Sequence, residues 1–85
     1  MDNRDFINAA IAAAKDYINE EMIDGEEVTE KDIFISWLSK TIKNNKALLG
    51  SEKRPYEYFE VTYNGIDKEM YLDVYVKINK KTIKL

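Results

Sequence analysis

Neither cysteine nor histidine occurs among the 85 residues of this chain. The first absence excludes disulfides and thiol nucleophiles, and the two together exclude the usual Cys/His zinc sites. Loss of the imidazole also removes the side chain best suited to acid–base work near neutral pH. Proline appears once and glycine three times, as Gly25, Gly50 and Gly65. These isolated glycines read as turn residues, and no glycine-rich phosphate loop is present. The longest uncharged stretch, Phe6 to Ala14, falls far short of the ~20 residues that a membrane-spanning helix needs. No signal-peptide pattern precedes it.

What remains is a chain with 45% hydrophobic and 34% charged residues and a net charge of −3. That balance suits a single domain over residues 1–85, soluble and expected in the cytoplasm, with one small core. The charge is unevenly placed. Ten acids and three bases precede Ile33, giving −7, and the rest of the chain carries +4. Such a split suits a polar partner surface. The blander reading is that the two halves attract each other across one fold, or that the charges merely solvate it.

Segment 2–22 carries the clearest periodicity. Phe6, Ile7, Ala10, Ile11, Ala14, Tyr17, Ile18 and Met22 recur at spacings of three and four, which draws one apolar stripe along a helix. Asp2 is suited to cap it, Asp5 sits favourably in the first turn, and Asp24-Gly25 can stop it. Segment 29–43 is ambiguous. As a helix it would be capped by Thr29 with Asp32 three residues on, and Ile33, Phe34, Trp37, Leu38, Thr41 and Ile42 would share a face. As a strand it places Ile33, Ile35 and Trp37 on one side and Phe34, Leu38 and Ile42 on the other.

Further on the pattern is sheet. Lys43-Asn44-Asn45-Lys46 reads as a tight turn, and Ala47-Leu48-Leu49 as a short apolar segment ended by Gly50-Ser51. A polar loop through Pro55 leads into the strongest local signal, Asn64-Gly65 between two alternating runs. Phe59, Val61 and Tyr63 form the apolar face of the first run. Met70, Leu72, Val74, Val76 and Ile78 form that of the second. A two-residue turn would set Glu60 opposite Glu69, so a four-residue loop at 64–67 is expected, pairing Val61 with Met70, Phe59 with Leu72 and Glu60 with Tyr71. The phase changes at Asn79-Lys80-Lys81, where a turn or bulge and a short tail strand are expected. The fold class read from this order is α+β: one N-terminal amphipathic helix packed on an antiparallel sheet of about four strands, in two layers.

Trp37-Leu38-Ser39-Lys40-Thr41-Ile42-Lys43-Asn44-Asn45-Lys46-Ala47-Leu48-Leu49, then Tyr58-Phe59-Glu60-Val61-Thr62-Tyr63-Asn64-Gly65, then Glu69-Met70-Tyr71-Leu72-Asp73-Val74-Tyr75 form a recognisable series. It resembles a family of small uncharacterised proteins encoded by phages and prophages of Gram-positive bacteria. Ile42 departs from that family's Leu, and Phe59 stands as an extra residue before Glu60. The resemblance implies a phage or prophage origin and a bacterial host cell, and supplies no mechanism. Relatives with Val and Tyr runs in place of Ile33–Trp37 favour a strand over about 32–43.

Little in the sequence suggests catalysis. Glu26, Glu27, Glu30 and Asp32 form a loose carboxylate run without the glycine-centred spacing of a calcium loop. No metal or cofactor is expected, and the chain reads as non-enzymatic. Trp37, the only tryptophan, is expected in the core beside Ile33 and Ile35. Lys40, Lys43, Lys46, Lys53 and Arg54 surround a turn, but an overall pI near 4.9 makes nucleic acid an unfavoured partner. The candidate surface is the outer face of the hairpin: Tyr56, Tyr58, Tyr71, Asp73 and Tyr75, with Glu60 and Glu69 beside them. Tyrosines there suit a protein-binding module, with a host factor or a second copy as partner. The alternative is an acidic inhibitor that imitates nucleic acid, its charge supplied by the ten acids before Ile33.

Overall fold

Asp2 opens the first element as its spacing suggests. Its carboxylate accepts the Asp5 N–H at 2.8 Å, and its carbonyl accepts the Phe6 N–H at 3.0 Å. Helix α1 follows over Asn3–Glu21 in a computed structural model that describes residues 1–21 and 27–85. Met22, expected on the helix stripe, and Asp24-Gly25, expected to stop it, lie outside the described residues. Phe6, Ala10, Ala14 and Ile18, one side chain per turn, are fully buried, with Ile7, Ile11 and Tyr17 flanking them. The two alanines let the helix backbone approach the layer beneath it closely.

That layer is a four-stranded antiparallel sheet in the order β1-β2-β3-β4: β1 Ile33–Lys40, β2 Asn44–Ser51, β3 Glu57–Asn64 and β4 Glu69–Val76. The α+β, two-layer architecture is the one the sequence indicates. The inner faces of β2 and β3 supply Ala47, Leu49, Phe59 and Val61, all buried against the helix, and Tyr17 meets Phe59 edge-on at 5.9 Å. The helix lies over β1, β2 and β3, so the inner side of β4 is only partly covered. Leu72 and Val74 pack against the core, while Met70 and Val76 stay exposed.

The helix–strand ambiguity of segment 29–43 resolves into both devices in series. Thr29 and Asp32 do form a cap: the Asp32 carboxylate accepts the Thr29 N–H at 2.8 Å, and the Asp32 N–H returns to the Thr29 carbonyl at 3.0 Å. It closes a single 3-10 turn, Glu30–Asp32, and the extended chain begins at Ile33. The strand is shorter than the expected 32–43 and stops at Lys40. Ahead of it, Val28 is buried and is held by Asn19, whose side-chain amide bonds both the Val28 carbonyl (3.0 Å) and its N–H (2.8 Å). This clamp ties the segment after the helix to the helix itself, since a buried backbone pair must find partners.

Four local expectations are corrected. Trp37 does not share a side with Ile33 and Ile35, because the β1–β2 register slips between Ile35 and Trp37: Ile35 faces Leu49, yet Trp37 faces Leu48. Ser36 is the extra residue of this bulge, its hydroxyl donating to the Leu48 carbonyl at 3.2 Å. Asn44 and Asn45 belong to β2 and not to a turn. Asn45 is 2% exposed, and its amide donates to the Asn3 side chain at 3.3 Å. The β3–β4 loop has the expected four residues but occupies 65–68, so Val61 pairs with Leu72, Phe59 with Val74 and Glu60 with Asp73. Asn64 causes the shift: its side-chain oxygen accepts the N–H groups of Ile66 and Asp67, which keeps Asn64 as the last strand residue. Finally, no tail strand forms. Residues 77–85 carry no regular secondary structure, and Ile78 is 96% exposed.

Two glycines are required by close approach. Gly50 lies within β2, not in a turn, and a Cβ there would come within 2.7 Å of the far end of the Phe34 ring. At Gly65 a Cβ would stand 1.9 Å from the Lys43 carbonyl oxygen, because the β1–β2 and β3–β4 turns abut. A ring can swing aside and a backbone carbonyl cannot. Gly65→Ala is therefore expected to destabilise the protein by about 1–3 kcal/mol, and Gly50→Ala by clearly less. Urea unfolding midpoints of the two variants give the order directly.

Candidate docking face

Alternation along each strand puts one set of side chains under the helix and the other on a face that no described element covers. The bulge at Ser36 decides what this outer face presents on β1. Phe34 precedes it and Trp37 follows it, and both point outward, 51% and 48% exposed. Phe34 lies over Gly50, and the rows run across the sheet from there. Phe34, Gly50, Tyr58 and Tyr75 form one row; Trp37, Leu48, Glu60 and Asp73 the next; Ser39, Lys46, Thr62 and Tyr71 a third.

Tyr58 and Tyr75 sit directly opposite each other and stack, centroids 4.8 Å apart and planes within 10°. Between Phe34 and Tyr58 runs a groove of about 540 Å³, lined also by Ser36, Leu48, Gly50 and Pro55. Its lining joins the rings of Phe34 and Tyr58 and the apolar Leu48, Leu49 and Gly50 to the charged Glu52, Glu57 and Lys77. Glu60 lies directly opposite Asp73, a like-charge pairing that the expected register would have avoided. Lys46 offsets it from β2, 3.5 Å from the Glu60 carboxylate.

Two phenols on this face, those of Tyr71 and Tyr75, are shifted upward. The negative charge of Glu60, then burial and Asp73, push the Tyr75 phenol above its ordinary range. Tyr71 is raised chiefly by the hydrogen bond it donates to Glu69. Both side chains thus present a polar O–H at the end of an apolar ring, the combination that favours protein interfaces.

Of the residues singled out from the sequence, Tyr58, Tyr71, Asp73 and Tyr75 come together on this face. Tyr56 stands apart, in the turn before β3, highly exposed and with its carbonyl accepting the Lys77 N–H at 2.7 Å. Sequence reasoning missed Phe34 and Trp37. The signal for them lay in the bulge, which a run apolar on both faces conceals.

Several of the remaining candidates are held by partners inside the chain. Glu30 accepts from Lys15 at 3.0 Å, which raises the Lys15 ammonium. The Glu30 carboxyl itself is lowered by a backbone hydrogen bond and by Lys15. Asp32 is lowered first by the Thr29 N–H and then by Lys53, 3.7 Å away. Arg54 bonds Glu57 and lies 4.0 Å from Glu21. The acidic first part of the chain and the basic second part therefore meet at Lys53–Asp32 and Arg54–Glu21. Glu26 lies outside the described residues, and among those residues no three carboxylates gather as a metal site would require. No described helix is long and apolar enough to cross a membrane.

A protein-family model described as a family of unknown function (DUF6275) matches residues 7–85, nearly the whole chain. No curated protein and no solved structure gives a significant match.

Proposed function

We propose that this chain, which belongs to the DUF6275 family, works by binding and not by catalysis, docking a protein partner on the outer face of its sheet. The observation that carries this reading is the uncovered aromatic strip Phe34, Trp37, Tyr58 and Tyr75, of which Phe34 and Tyr58 border a preformed groove. A fold this small has few large apolar side chains, and placing four aromatics outside the core forgoes burial that could stabilise it. The partner chemistry that fits is an apolar or aromatic protrusion filling the groove, with polar atoms for the Tyr71 and Tyr75 hydroxyls. Phage or prophage origin and action in the cytoplasm of a bacterial host belong to the same proposal. They rest on the sequence resemblance and the composition.

The acidic-mimic alternative has less support, because Glu21, Glu30 and Asp32 already face cations of the same chain. The two readings separate in one experiment: capture from host extract with the wild-type chain and with a Trp37→Ser/Tyr58→Ser chain as bait. Aromatic docking predicts a partner retained by the first bait, lost by the second and little affected by added salt. A partner held equally by both baits and released steeply by salt would support the mimic instead.

A further inference from the structure

The two edges of the sheet are built differently. The β1 edge is broken by the bulge at Ser36, a device that discourages further strand pairing. The β4 edge has no bulge and no proline, and its eight pairs with β3 run in unbroken register. Lys77 donates its N–H to Tyr56 on the β3 side. By alternation the odd-numbered residues of β4 point their backbone groups at β3, and Met70, Leu72, Val74 and Val76 point theirs at the open edge. These are the same four residues whose side chains lie on the inner face, where Met70 and Val76 are left exposed.

We infer that β4 pairs antiparallel with β4 of a second copy about a two-fold axis, joining two sheets into one of eight strands. Self-pairing with inner faces matched leaves a small choice of registers, and the charges select among them. One register sets Asp73 against Asp73 of the second copy, an unfavourable pair. Setting Val74 against itself leaves Asp73 opposite Tyr75 and pairs no charges. Setting Tyr75 against itself places Asp73 opposite Lys77 of the second copy, twice by symmetry. Val74 then meets Val76, Leu72 meets the exposed Ile78, and the Tyr58–Tyr75 stack continues across the axis. Asp73 has no ion pair within its own chain among the described residues, and residues 77–85 carry four lysines and no acid. The second copy is therefore the occupant that the edge itself specifies. This pairing uses the edge of β4 and is independent of docking on the outer face.

The test is the mass in solution by size exclusion with light scattering, on the full chain. Wild type is expected as a dimer. Asp73→Lys and Lys77→Asp singly set like charges across the axis and are expected to weaken the dimer at least about tenfold. The double swap Asp73→Lys/Lys77→Asp is expected to restore it, with circular dichroism showing all forms folded. A wild-type monomer at every concentration would overturn the inference. So would singles that stay dimeric, or a folded double variant that stays monomeric. A dimer abolished by Trp37→Ser but untouched by Asp73→Lys would move the contact to the outer face and also refute edge pairing.

Discussion

Phe59→Ala is expected to destabilise the domain by about 3–5 kcal/mol. Phe59 sits on β3 at the centre of the sheet, fully buried, flanked by Leu49 on β2 and Val74 on β4 and met edge-on by Tyr17 from the helix. Removing its ring opens a hole where both layers meet, and the edge-on aromatic contact is lost with it. The neighbouring strands β2 and β3 are paired on both sides, so the sheet around the hole collapses only in part. A domain of this length holds together by only about 4–13 kcal/mol in all. The variant should therefore be extensively unfolded near physiological temperature, with an unfolding midpoint in urea shifted far below wild type. Val74→Ala, at a half-covered position on the next strand, should lower that midpoint much less, because part of its surface is already wet.

The second large effect falls on binding and spares the fold. Trp37 and Tyr58 are half exposed on the outer face. Replacing both by serine loses one aromatic stack, worth about 0.5–1.5 kcal/mol, and little buried area. Aromatic anchors at the centre of an interface cost about 2 kcal/mol or more each when truncated. Partner affinity is accordingly expected to fall by about a hundredfold or more, while the urea midpoint moves only slightly. Titration of the captured partner against both proteins, beside their unfolding curves, separates these two effects. Equal losses of affinity and stability would mean that the face matters only for folding.

Much of this arrangement is legible in the amino-acid pattern. The stripe from Phe6 to Ile18, the cap at Asp2, the Asn64-Gly65 hairpin and the two-layer order all follow from periodicity and turn chemistry, which act locally. The tyrosines at 58, 71 and 75 were legible for the same reason, since strict alternation fixes their side of the sheet. What escaped depends on single interactions between distant segments. One extra residue at Ser36 reverses the side on which Trp37 emerges, and nothing in a run apolar on both faces marks where it falls. The Asn64 side chain, by taking two N–H groups of its own turn, moves the β3–β4 pairing although the loop length is as expected. Gly65 read as a residue chosen for its backbone freedom, and its contact with the Lys43 carbonyl shows that it is needed for space. The Asn19 clamp on Val28 pairs a polar helix residue with loop backbone, a partnership invisible to hydrophobic patterning.

Docking requires the aromatic side chains of the outer face to be free to meet a partner, and Trp37, as the only tryptophan, reports on this by itself. Acrylamide quenching of its fluorescence in the purified protein is expected to approach that of a free tryptophan amide, with the red-shifted emission of a hydrated indole. A blue-shifted emission shielded from the quencher would put the indole beneath the helix beside Ile33 and Ile35, and the docking face as described here would not exist.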